Sequence, residues 1–130
     1  MTQTGSPLPK ILIVEDEAII REILAEFLRL DGFEVMEADG GNPALEILKT
    51  ESFELILTDW MMDDGSGENL VRSIRAINQV VPIVVLSANT ELTAESLKDY
   101  RIDQLIAKPF DPDGLVATVK QLVMSNRNQA

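Results

Sequence analysis

The chain has 130 residues, 45% of them hydrophobic, which gives one domain a buried core and is too apolar for a disordered chain. A formal charge of −11 argues against gripping nucleic acid by its phosphates, which takes clustered Lys and Arg, and suits a basic protein partner or a bound cation. With neither cysteine nor histidine, disulfides, thiolate chemistry and the usual general base are excluded, which suits a cytoplasmic protein whose chemistry rests on carboxylates, hydroxyls, lysines or a hard metal.

Residues 1–9 read as a loose tail without the apolar block of a secretory signal. Ile11-Leu12-Ile13-Val14 is a continuous apolar run of the buried-strand type. Ile19, Ile20, Ile23, Leu24, Phe27 and Leu28 then recur at helical spacing, and Asp31-Gly32 is a stop signal. Residues 33–37 alternate as an edge strand does, and Asn42-Pro43 places a cap and a first-turn proline before Ala44, Leu45, Ile47 and Leu48. Leu55-Ile56-Leu57 is a third strand, followed by Leu70, Val71, Ile74 and Ile77 on a helix. Ile83-Val84-Val85-Leu86 is a fourth strand, and a short helix is predicted over residues 90–100 with Leu92, Leu97 and Tyr100 as its apolar face. Leu105-Ile106-Ala107 is a brief fifth strand, and Asp111-Pro112 opens a last helix bearing Leu115, Val116, Val119, Leu122 and Val123. Residues 125–130 read as a polar tail, leaving 10–124 as the domain, and no apolar run is long enough for membrane insertion.

A strand–helix unit repeated five times implies an α/β fold, a five-stranded parallel sheet with helices on both faces in a three-layer (βα)5 sandwich. The most polar strand and the shortest one are natural edges, which favours the flavodoxin-like order 2-1-3-4-5. A closed eight-stranded barrel would need about twice the length. In that order the ligand crevice opens at the carboxyl ends of the first and third strands, where Glu15-Asp16 and Asp59 stand.

Three carboxylates so placed repel one another unless a cation joins them, and Mg²⁺ favours a few carboxylates with waters and phosphate oxygens. Asp59 then suits attack on phosphorus to form an acyl phosphate, with Lys108 as cation and Ser87 as a second donor to phosphate oxygens. Taken singly, the acidic pair also reads as a helix cap, Lys108 as a solvated lysine and Ser87 as a hydroxyl bonding the backbone. Trp60 reads as a partly exposed neighbour of the site, and Met61-Met62 as packing residues.

The segments Ile11-Leu12-Ile13-Val14-Glu15-Asp16-Glu17, Asp59-Trp60-Met61-Met62, Val85-Leu86-Ser87-Ala88 and Ala107-Lys108-Pro109-Phe110 together resemble a receiver domain of the two-component response regulators. The resemblance implies phosphorylation of Asp59 by a sensor histidine kinase or phosphotransfer protein. It implies Mg²⁺ held by Asp16, Asp59 and the backbone carbonyl of Met61, with Glu15 acting through water. It implies phosphoryl binding by Ser87 and Lys108, a cis Lys108-Pro109 bond, and tuning of phosphoryl lifetime by Met61 and Asn89. Output through a downstream protein, as a stand-alone regulator that is not a turnover enzyme, completes the expectation.

Five positions depart from the family pattern. Glu15 replaces a common Asp, and Asp63 and Gly65 replace a usual proline and apolar residue, which makes the loop at 63–67 more flexible and more negative. Leu105 stands at the switch position, where many members carry Tyr or Phe, and Arg101 replaces a usual glycine. An alternative is therefore a receiver-like module that binds proteins independently of phosphorylation. A phosphatase-like hydrolase is disfavoured, because its second acid would fall at Met61.

Overall fold

The computed structural model describes residues 8–62, 65–89, 92–93 and 95–128, with residues 65, 66 and 128 described by backbone alone. Aliphatic runs form its central strands, β1 (Lys10–Val14), β3 (Leu55–Asp59) and β6 (Ile83–Ser87), because only strands covered on both faces can be apolar throughout. The edges are β2 (Glu34–Ala38) and β7 (Gln104–Ala107), both with mixed burial. All five pair in parallel in the order β2-β1-β3-β6-β7, so the predicted 2-1-3-4-5 arrangement is the observed one. A two-stranded antiparallel ladder of β4 (Met61–Met62) and β5 (Gly65–Ser66) follows β3.

Strand periodicity divides the core in two. Ile11, Ile13, Leu55, Leu57, Val84 and Leu86 face one layer, made by α1 (Ala18–Leu30) and α4 (Pro112–Asn128). Leu12, Val14, Ile56, Ile83 and Val85 face the other, made by α2 (Gly41–Leu48) and α3 (Gly67–Ile77). Each such side chain is essentially fully buried, and burial of that kind contributes roughly 1.5–3 kcal/mol per residue. Among the described residues no helix is long and apolar enough to cross a membrane.

Local chemistry sets the helix ends. Gly32 at φ 96° closes α1, where the Gly32 and Phe33 N–H groups donate to Arg29 O and Leu28 O and Phe33 is buried beneath them. Asp111 caps α4 by accepting the Gly114 N–H at 3.1 Å. In α2 the helix starts at Gly41, so Asn42-Pro43 lies inside its first turn rather than at the boundary.

Three further expectations are corrected. α1 buries Leu24, Ala25 and Leu28 but leaves the predicted apolar residues Ile19, Ile23 and Phe27 exposed, Ile19 at 73%, because the sheet covers only one stripe. α4 continues to Asn128, so Ser125 to Asn128 are helical rather than a tail, and Arg127 is tied to Glu54 at 2.6 Å. The predicted helix over 90–100 is absent among the described residues of that stretch, which keep only a 3₁₀ turn at Lys98–Tyr100. Thr93 and Ser96 bond each other's backbone N–H groups through their hydroxyls, satisfying locally what a helix would have used. Leu97 is buried, whereas Leu92 and Tyr100 are only partly covered. Thr90, Glu91 and Ala94, like Asp63 and Asp64 of the variant loop, lie outside the described residues.

Candidate functional site

Strand register brings the predicted residues together. Val14 is level with Ala38 on one side and Thr58 on the other, so Glu15 and Asp59 leave adjacent strands at the same height. Asp59 is level with Leu86, which places Ser87 one step on, and Ser87 pairs with Ala107 so that Lys108 follows directly. The Lys108 N–H donates to Ser87 O at 2.9 Å, extending that ladder by one residue.

At the centre, the Lys108 ammonium donates to Asp59 Oδ2 at 2.8 Å and to Glu15 Oε1 at 2.9 Å. Glu15 is fully buried, and its Oε2 accepts the Glu17 N–H at 3.1 Å. Asp59 is 5% exposed, and its Oδ1 accepts the Met61 N–H at 3.3 Å. Asp16 is half-buried, and it, Glu15 and Asp59 each offer a carboxylate oxygen within 4.8 Å of the others. Ser87 is 4% exposed, with its Oγ accepting the Asn89 N–H at 3.0 Å. Met61 and Asn89 are both exposed, and Leu105 is half-buried against the α2–α3 layer. The Lys108-Pro109 bond is cis.

Electrostatics follow from burial. Loss of water pushes the Glu15 carboxyl above its ordinary range, and the Lys108 and Glu17 hydrogen bonds oppose that only in part. Burial acts to lower Lys108, but its bonds to Asp59 and Glu15 prevail and raise it. Three carboxylates thus converge, two of them held by one ammonium group, leaving excess negative charge in a small volume. Oxygen donors alone, in a chain without His or Cys, fit a hard cation such as Mg²⁺ rather than a soft one.

Several residues that sequence reasoning missed build this geometry. Arg21 donates to the Glu15 carbonyl at 2.8 Å and lies 3.4 Å from Glu37, fixing the turn that carries Asp16; one helical arginine gives no spacing signal for this. Gly67 donates to Trp60 O at 2.6 Å, and a Cβ there would lie 2.3 Å from the Asp59 carbonyl oxygen, so only glycine permits this approach. Trp60 corrects an expectation: it is 8% exposed and packs in the α2–α3 layer instead of standing partly open to solvent.

Known proteins are similar to this chain. A family model described as the response regulator receiver domain matches residues 11–120. The phosphate regulon transcriptional regulatory protein PhoB of Pseudomonas aeruginosa is 37% identical over 120 residues, covering 87% of this chain and 51% of that protein. The Francisella response regulator 1452 receiver domain superposes with a TM-score of 0.82 at 31% identity, covering 90% of this chain and 98% of its own. Response regulator TrrA of Thermotoga maritima, solved in complex with Mg²⁺-BeF, gives 0.80 at 31% identity, with coverages of 88% and 99%. The chain spans about half the length of the curated PhoB relatives it matches.

Proposed function

The chain belongs to the response regulator receiver domain family of two-component signalling, and from that premise we propose that Asp59 is its phosphoryl acceptor, within a receiver unit that runs from β1 through α4. The observation that carries this reading is the Lys108 ammonium 2.8 Å from the Asp59 carboxylate at the mouth of a three-acid cluster. Receiver domains are signalling modules rather than turnover enzymes.

In the proposed chemistry a histidine kinase or phosphotransfer protein presents a phosphohistidine. An Asp59 carboxylate oxygen attacks phosphorus, the P–N bond breaks, and its electron pair returns to the imidazole as the acyl phosphate forms. Lys108 moves from the carboxylate to a phosphoryl oxygen, and the Ser87 hydroxyl donates to another. Asp16, Asp59 and the Met61 carbonyl would hold Mg²⁺, with Glu15 behind a water, and the bound ion supplies charge neutralisation. Met61 and Asn89, both exposed, would govern water access and hence phosphoryl lifetime. A cytoplasmic location accords with these partners, and the downstream protein is another protein surface rather than nucleic acid.

Leu105 favours a second reading, because it brings no ring or hydroxyl to the switch position. A module of this kind would bind its partners by contact alone, without accepting a phosphoryl group. Incubation with Mg²⁺ and acetyl phosphate, read by intact mass, separates the two. One added phosphoryl group, absent in Asp59→Asn, supports the acceptor reading; no adduct leaves the binding module.

A further inference from the structure

The single tryptophan of the chain follows Asp59 directly. Its backbone is fixed on both sides, the Trp60 N–H donating to Leu86 O at 3.0 Å and its carbonyl accepting the Gly67 N–H at 2.6 Å. Tyr100 meets the indole edge-on, with ring centroids 5.6 Å apart and planes at 70°, a favoured aromatic geometry. The Tyr100 hydroxyl donates to Glu68 Oε2 at 2.8 Å and accepts from Arg72 at 3.1 Å, while the Arg72 guanidinium lies 5.4 Å from the ring centre. Arg75 binds the carbonyls of Tyr100 and Arg101 at 3.3 and 2.7 Å. The ring is thus anchored on α3 and aimed at the neighbour of Asp59.

The segment that carries Tyr100 is held by its surroundings. It is a 3₁₀ turn closed by Arg101 at φ 57°, a left-handed conformation that a non-glycine residue keeps only when its neighbours enforce it. Beside the turn lies a groove of 550 Å³ lined by Arg72, Arg75, Ala76, Ser96, Asp99 and Tyr100. Leu105, in the same layer, is aliphatic and offers no such anchored contact.

We propose that Tyr100 is a positioning residue for the phosphoryl acceptor, holding the Asp59–Trp60 backbone through the indole, and that the same contact carries a change at Asp59 to the 98–101 turn and its groove. Coupling between two sites is reciprocal, so a ring that restrains Trp60 also feels a displacement of Trp60. The proposal rests on the acceptor reading of Asp59. It supplies an outlet for the signal that does not run through residue 105.

The test uses the full chain with Mg²⁺ and acetyl phosphate, comparing wild type, Tyr100→Leu and Tyr100→Phe. Intact mass follows the adduct, Trp60 emission and acrylamide quenching follow the indole, and urea midpoints monitor folding. Wild type is expected to change its emission in step with the adduct. Tyr100→Leu should form adduct at least about threefold more slowly and lose that change, since small misplacements near reacting atoms are costly. Tyr100→Phe keeps the ring and should restore both. If Tyr100→Leu does not fold, Tyr100→Met, which also removes the ring, takes its place with the same expectation. A wild-type adduct with unchanged emission, or variants matching wild type in rate and emission, overturns the coupling while leaving the acceptor reading intact. No wild-type adduct overturns both.

Discussion

Lys108 holds Asp59 and Glu15 through one ammonium group, so each carboxylate is set by a partner it shares. Burial lifts Glu15 above the ordinary 4.5, which means the native protein keeps a proton there that the unfolded chain has shed. Its contribution therefore favours folding at low pH and fades as pH rises from 4.5 through the native value. Lys108 is raised, so its contribution is complete below 10.5 and fades as pH climbs through its native value. In chelator at constant ionic strength, wild type should lose stability relative to Glu15→Gln as pH rises from 4.5; parallel urea midpoints would contradict this. Gly67→Ala should destabilise by about 1–3 kcal/mol, because its methyl group meets backbone oxygen rather than a yielding side chain. An unchanged urea midpoint would show that the loop gives way without cost. Asp59, Ser87 and Lys108 were legible in the sequence because each ends a recognisable strand. Gly67 was not, since close backbone approach leaves no mark beyond a glycine in a polar loop.

Among elements, the crossover between β6 and β7 departs furthest from expectation. Its apolar residues are too few for a helical face, and the Thr93–Ser96 bonds compete with a helix, so among its described residues a 3₁₀ turn remains. Arg101 then occupies a left-handed position that costs an L-residue roughly 1–2 kcal/mol. Glycine removes that strain but is more flexible when unfolded, so Arg101→Gly should raise stability by about 1 kcal/mol or less. A melting temperature rising by about 3 °C would match, and a fall would mean the guanidinium contact to Gln79 at 3.1 Å outweighs the strain. The aliphatic runs of β1, β3 and β6 needed no tertiary information, because uniform burial and uniform apolarity go together in a central parallel strand. In α1 the apolar residues outnumber the positions the sheet can cover, so periodicity located the helix but not its buried stripe.

At the scale of the molecule, a chain of charge −11 gathers three acids at one end of its sheet and joins two of them with one lysine. Concentrating like charge costs folding energy that a bound cation returns. Mg²⁺ at about a hundred times its dissociation constant should stabilise wild type by roughly 2.7 kcal/mol. Asp16→Asn should lose most of that gain, and NaCl of equal ionic strength should not reproduce it. Equal gains in both proteins would assign the effect to general screening. Sheet order was legible because edge strands announce themselves by polarity, and the crevice follows from the order. The burial of Trp60 was not, since it depends on Tyr100 and α3 closing over it.

The claim that Asp59 accepts the phosphoryl group is tested most directly by locating it. After incubation with Mg²⁺ and acetyl phosphate, borohydride reduction converts an aspartyl phosphate to homoserine, which peptide mass mapping assigns to a position. The account predicts homoserine at position 59 and nowhere else, and none without acetyl phosphate. Homoserine at another aspartate, or a phosphoryl group retained on a serine or threonine, would contradict it.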